Sequence, residues 1–188
     1  MNKLILAAAL TAFSATSFAA PETFGIESTH TYPRFEYSHF GYSNQVQRFD
    51  KTSGKIVLDR AAKTASVDVT IDAKSVNTGY ALFNQHIQAE DYFSTEKFPT
   101  ITFKSTAVKF DGDKPVAIEG NLTIKGVTKP VTLTVTSFHA MPHPMLKKDA
   151  IGANAVTKLK RSDFNMGKNV PYVSDEVTLS IAVEAVKE

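Results

Sequence analysis

From residue 22 onward, apolar and polar side chains alternate with a period of two. Val67, Val69 and Ile71 alternate with Ser66, Asp68 and Thr70. Val131, Leu133 and Val135 alternate with Thr132, Thr134 and Thr136. Val177, Leu179, Ile181 and Val183 alternate with Thr178, Ser180 and Ala182. Successive side chains on a strand point to opposite faces, so these runs predict strands with one buried and one wet face. The β-branched residues that crowd them favour the same conformation.

Turn-forming residues fall between the runs. Thr52-Ser53-Gly54 is predicted to join strands over 46–51 and 55–59, and Asp111-Gly112-Asp113 to join 101–110 to 116–124. Lys125 to Pro130 reads as a turn before a strand over 131–139, with Gly126 taking the turn geometry and Pro130 ending it. Short strands linked in this way predict an up-and-down meander. Roughly eight strands with one apolar face each are best satisfied by closing the sheet, which leaves no free edge. The expected fold is therefore all-β, an eight-stranded antiparallel barrel over residues 20–188 with one or two short helices.

Three segments break the period. Residues 78–93 read as a helix capped by Asn77 or Thr78, with Phe83 and Ile87 on one side, placed to cover the barrel. Residues 140–148 carry Pro142 and Pro144 and are expected to be irregular, as are 162–174.

The first residues read as an address. Lys3 precedes an apolar run over 4–13 that only Thr11 interrupts, and Ser17 and Ala19 are small residues at the −3 and −1 positions of a cleavage site. This is the pattern of a Sec-type signal peptide over 1–19, too short to span a bilayer, and it predicts a periplasmic mature protein. The chain has no Cys, which excludes disulfides, thiolate catalysis, Cys-ligated metal and a lipoprotein signal. A formal charge of +2 gives no electrostatic footprint for nucleic acid. The sequence is compatible with a monomer or a homodimer.

No hydrolase, zincin or phosphate-loop motif is present. His139, Met141, His143 and Met145 alternate, and imidazole with thioether is a ligand set that suits copper, so this loop is a candidate metal site; packing beside two prolines is the plainer reading. His39 and His86 are candidate polar groups at a cavity mouth. The chain has 13 Phe and 6 Tyr but no Trp. Phe35, Tyr37, Phe49, Phe93 and Phe103 join Phe83 and Ile87 as candidates for an apolar interior. So do Leu122, Ile124, Leu133 and Phe164. A small barrel either fills its inside with side chains or holds a ligand there, and the pattern fits both. Lys147, Lys148, Lys158, Lys160, Arg161 and Lys168 form a basic cluster that reads as a solvated face, or as a rim that attracts an anionic headgroup or makes transient contact with a membrane surface.

Several blocks resemble one family. Gly120-Asn121-Leu122-Thr123-Ile124-Lys125-Gly126-Val127-Thr128-Lys129-Pro130-Val131 is similar to the hallmark G-x-L-T-I-K-G-V-T-+-P-V of the YceI-like family. Asp91-Tyr92-Phe93 with Phe98-Pro99-Thr100-Ile101-Thr102-Phe103-Lys104-Ser105, the opening His30-Thr31 with Phe35 and His39, and the closing Arg161-Ser162-Asp163-Phe164 with Val177-Thr178-Leu179 resemble its other blocks in the right order. The family's R-D-x-H-L helix motif is only partly kept, as Phe83-Asn84-Gln85-His86-Ile87. The resemblance implies a lipocalin-like barrel, exported and non-enzymatic, without a cofactor. It also implies a long-chain apolar lipid as partner: an isoprenoid quinone such as ubiquinone, a prenyl phosphate or a fatty-acid-like amphiphile. Lys125 and Lys129 are not expected to touch it.

Overall fold

A computed structural model describes residues 20–188; the export signal expected over 1–19 lies outside the described residues. The strands are β1 Glu22–Ile26, β2 Tyr32–His39, β3 Ser43–Phe49, β4 Thr52–Asp59, β5 Thr64–Asp72, β6 Val76–Asn77, β7 Thr100–Asp111, β8 Lys114–Ile124, β9 Val127–Pro142, β10 Asp149–Lys160 and β11 Glu176–Lys187. One helix, α1 Ala81–His86, and three 3-10 turns complete the described residues. All pairings are antiparallel, and β1 pairs with both β4 and β11, which closes the sheet.

Two of the staves are broken. Both β1 and β2 run along β11, and their antiparallel neighbours on the other side are β4 and β3. Thus β1 and β2 are halves of one kinked stave, and β3 and β4 are halves of the next. Counted this way, with the two-residue β6 set aside, the barrel has eight staves in meander order. The first kink is held by Glu27, whose carboxylate accepts from the Thr29 amide at 3.1 Å and from the Thr29 hydroxyl at 2.6 Å. The second is held by Ser75, whose carbonyl accepts from Asp50 N at 3.1 Å and whose hydroxyl accepts from Lys51 N at 3.0 Å.

The expected hairpin at Thr52-Ser53-Gly54 is thereby corrected: these residues lie inside β4, and the chain runs on through the kink rather than reversing. Gly54 answers a close approach. Its φ is +139°, and a Cβ there would stand 2.1 Å from the Asp68 carbonyl oxygen of β5. Gly54→Ala is expected to lower stability by about 1–3 kcal/mol, the usual range for one forced backbone conformation, as read from thermal unfolding. The hallmark hairpin is tighter than predicted. Its turn is Lys125-Gly126 alone, both at positive φ, and Pro130 lies within β9 opposite Asn121. Pro130 is beyond the last β9–β10 pair, Thr134 with Val156, where one edge of β9 has no partner and a missing N–H is tolerated. Ala140 to Pro142 continue β9 and were expected to be irregular.

The helix is shorter than the predicted 78–93. Gly79 at φ +78° stands before it, and the N-cap is Tyr80. Asn84 Oδ1 folds back to accept from Thr78 N at 2.7 Å, and residues 88–98 form successive turns. This segment covers one end of the barrel. Phe24, Leu58, Ile151 and Ala185 pack the other end, with Phe110 and Phe138 against them.

The Thr29 hydroxyl first, then the Thr29 amide and His30, hold Glu27 down to about 2 against the opposing effect of burial. A depressed carboxylate stabilises the fold above its unfolded value of about 4.3 and loses that contribution as pH falls toward 2. Melting temperature measured from pH 6 to pH 2 is expected to fall less steeply across that window in Glu27→Gln.

A candidate ligand-binding cavity

The inside of the barrel is hollow. A cavity of about 450 Å³ runs through it, within the size class that holds small-molecule ligands. Val67, Val69, Ile118, Val131, Leu133 and Leu179 show why it persists. All six face inward and line it, yet each is only partly buried, because no opposing side chain reaches across to cover it. An eight-stranded bore is either filled by its side chains or holds a small ligand, and here the inward Val, Ile and Leu side chains leave it open.

The structure brings most of the sequence-predicted residues to this cavity. Phe35, Tyr37, His39, Phe49, Phe83, His86, Ile87, Phe93, Phe103, Leu122, Ile124 and Leu133 all line it. Phe164 does not: at 1% exposure it is packed solid in the wall below the mouth. Phe35, Phe49 and Phe93 form a mutual aromatic cluster with ring centroids 5.4–5.7 Å apart, which ties the 88–98 cover to the first two staves.

The polar groups gather at the covered end. His39 is exposed and lies edge-on to Phe40 at 4.5 Å; His86 is exposed between Phe83 at 5.9 Å and Tyr92 at 5.2 Å. Among the described residues neither ring hydrogen-bonds a carboxylate or a nucleophile, so no acid–base pair is assembled there. Burial raises the Tyr37 hydroxyl above the ordinary phenol range, and the Gln47 side chain beside it opposes that shift.

The basic cluster is not one solvated face. Arg161 is buried at 8% exposure and lines the cavity. Its Nε donates to the Ser174 carbonyl, Nη1 to those of Met166 and Lys168, and Nη2 to that of Val173. Lys168, also at the cavity, pairs with Asp91 of the cover, and Lys158 pairs with Glu176 at 2.7 Å. Lys125 is a tie between loops, donating to the carbonyls of Glu90 at 2.6 Å and Asn165 at 2.9 Å.

The His/Met loop is a turn. His139 and Met141 sit on the outer face of β9, and Met145 is 81% exposed. His143 Nδ1 accepts from the backbone N–H groups of Met145 and Leu146, both at 3.2 Å, so that nitrogen is spent on the turn. Among the described residues, the His and carboxylate atoms close enough to share an ion are those of Glu27, His30 and Glu184, and the Glu27–His30 hydrogen bond at 2.7 Å already joins two of them.

Sequence reasoning missed Gln47 and Thr52. Thr52 pairs in register with Ile71 and lines the cavity, while Gln47, in register with Phe35, is buried beside Tyr37 behind the lining. The signal for Gln47 was its parity with Phe49.

The sequence profile of the YceI-like domain matches residues 24–185. The chain is 39% identical over 178 residues to protein YceI of Escherichia coli O157:H7, covering 94% of this chain and 92% of that protein. Among solved structures, the Campylobacter jejuni YceI protein is 33% identical with a TM-score of 0.69, covering 80% of this chain and 90% of that one. BcnA of Burkholderia cenocepacia is 26% identical with a TM-score of 0.73, covering 85% and 99%. A polyisoprenoid binding domain from Saccharophagus degradans, at 18% identity and a TM-score of 0.66 over 88% of this chain and 98% of that one, shares the fold. The chain belongs to the YceI-like domain family.

Proposed function

We propose that this protein is a periplasmic, non-catalytic carrier or store for a long-chain isoprenoid lipid, held along the barrel axis with its head at the covered end. The observation that carries this reading is the hollow interior of about 450 Å³ with an apolar lining. Each methylene buried there contributes roughly 0.8 kcal/mol, so a chain of several isoprene units needs few polar contacts to bind tightly. Such a chain has almost no solubility, and a protein that shields it from water serves a compartment between two membranes.

A small neutral head fits better than a pyrophosphate. A pyrophosphate calls for several converging cations. The two members of the basic cluster that reach the cavity are Arg161 and Lys168, and their donors are engaged by backbone carbonyls and by Asp91. An isoprenoid quinone, ubiquinone for instance, is therefore favoured over a prenyl phosphate or a fatty acid. The protein purified from the periplasm, examined by native mass spectrometry with organic extraction, should release a long-chain neutral lipid in near-stoichiometric amount. Protein that leaves the periplasm empty, or that carries only phosphorylated lipid, would overturn the assignment.

A further inference from the structure

Three segments at the covered end frame the mouth of the bore. They are residues 37–47, which turn from β2 into β3, residues 75–89, which carry α1, and residues 169–174. None of the three holds an Asp, Glu, Lys or Arg, in a chain of which 21% is charged. Each sends side chains to the cavity: His39 and Phe40 from the first, Phe83 and His86 from the second, Asn169 and Val173 from the third. Each also leaves large apolar or aromatic side chains in solvent: Phe40 and Tyr42, Tyr80 and Leu82, Val170 and Tyr172. Single exposed apolar residues are ordinary on a protein surface, but six on the uncharged segments around one opening mark an interaction site.

Two of these segments are tied together. Phe40 N donates to Tyr172 O at 2.8 Å, the two rings stack at 6.1 Å, and His39 bridges to Val173. Phe40 has φ +54° and Gly41 φ +73°, in a turn where Asn, Asp or Gly suits the first of these positions and a Phe is strained. The strained residue both lines the cavity and is 52% exposed, so the apolar lining reaches the outer surface through it. The opposite end of the barrel differs on each count. Phe24, Leu58, Ile151 and Ala185 pack it shut, and its exposed Met145 and Leu146 run straight into Lys147, Lys148 and Asp149.

We propose that this uncharged rim docks on the surface of a lipid bilayer, so that the carried lipid passes between membrane and bore without crossing water. This rests on the carrier reading above and names the surface through which the cargo is exchanged. Tyr and Phe side chains suit the headgroup level of a bilayer, where amphipathic rings concentrate. A second copy seated on the same rim would cap the opening instead of serving it. The basic cluster has no part in this contact: Lys158 and Lys168 are paired with Glu176 and Asp91, and Arg161 is spent on carbonyls. Docking therefore needs no anionic lipid and withstands salt.

The test loads purified protein with ubiquinone and mixes it with phosphatidylcholine vesicles, which are separated at intervals and extracted. Transfer by docking should speed up in proportion to vesicle concentration, at low and high salt alike. Tyr42→Ser/Tyr172→Ser is expected to slow it about tenfold, equivalent to about 55 Å² less apolar surface buried at each docking event. Neither side chain lines the cavity, so ubiquinone content at saturation and melting temperature should not change. Tyr80→Ser/Leu82→Ser, on α1, should slow transfer independently, and Met145→Ser/Leu146→Ser, at the packed end, should not. A rate independent of vesicle concentration means escape through water and overturns the docking; so do both rim variants transferring at the wild-type rate. A wild-type dimer that Tyr42→Ser/Tyr172→Ser turns into a monomer assigns the rim to a second copy and overturns it as well. Each of these outcomes leaves the carrier reading standing, whereas wild-type protein that takes up no ubiquinone overturns both.

Discussion

Arg161→Met is expected to cost about 3–5 kcal/mol of folding stability, because it leaves several part-buried carbonyls without a donor at about 1–3 kcal/mol each. The reason is an accounting of acceptors. One guanidinium at the end of β10 serves four backbone carbonyls, those of Met166, Lys168, Val173 and Ser174, and its own amide donates to Asp175 O at 2.9 Å. Residues 165–175 are also tied to the end of β2 by Phe40 N to Tyr172 O at 2.8 Å and Ser174 N to Ser38 O at 3.0 Å, so this side chain holds the inner side of the loop while β2 holds its outer end. Methionine matches the length and apolar stem but supplies no donor, and each orphaned carbonyl that stays buried adds about 1–3 kcal/mol. Arg161→Lys should recover little, because one ammonium cannot reproduce the planar fork that reaches acceptors on two sides. Urea denaturation followed by far-ultraviolet circular dichroism measures the loss; a change below about 1 kcal/mol would refute the organising role. The same variant should loosen the Lys168–Asp91 and Asn169–Tyr92 contacts that hold the cover, so bound ligand should leave faster.

What the sequence made legible was the part governed by period. Val67, Val69, Ile71, Leu133 and Val135 line the cavity as their alternation requires, since a strand offers no other way to segregate them. The closed sheet followed from the number of such strands. The broken staves were not legible, because a kink leaves the alternation on each side intact and is held by a few local hydrogen bonds accepted by Glu27 and Ser75. Thr52-Ser53-Gly54 has turn composition for another reason, the contact of Gly54 with the β5 backbone. Arg161 looked like one more surface cation because its partners are backbone carbonyls, which carry no residue identity. The His/Met alternation was real for His139 and Met141 but stopped mattering at Pro142, where β9 ends and His143 turns back to cap the loop.

Filling the bore should empty the protein of lipid without unfolding it. Val69 and Leu133 face the cavity from β5 and β9, each only partly buried, with open space before them. Trp at both positions projects two indoles into that space, where they exchange water-accessible lining for apolar contact rather than displacing packed neighbours. Each ring should be stabilising or neutral, in contrast to Ile87, which at 5% exposure already sits in the packed core and would not tolerate a charged replacement. For a bound chain the effect is opposite. Losing room for about three methylenes removes roughly 2.4 kcal/mol, about fiftyfold in affinity. Val69→Trp/Leu133→Trp is therefore expected to carry little lipid when purified, with a melting temperature at or above that of delipidated wild type. Thr134→Trp, on the wet face one residue along β9, is the matched control and should keep its lipid. Lipid content unchanged in the double variant, at an intact melting transition, would show that the chain lies elsewhere than in the bore.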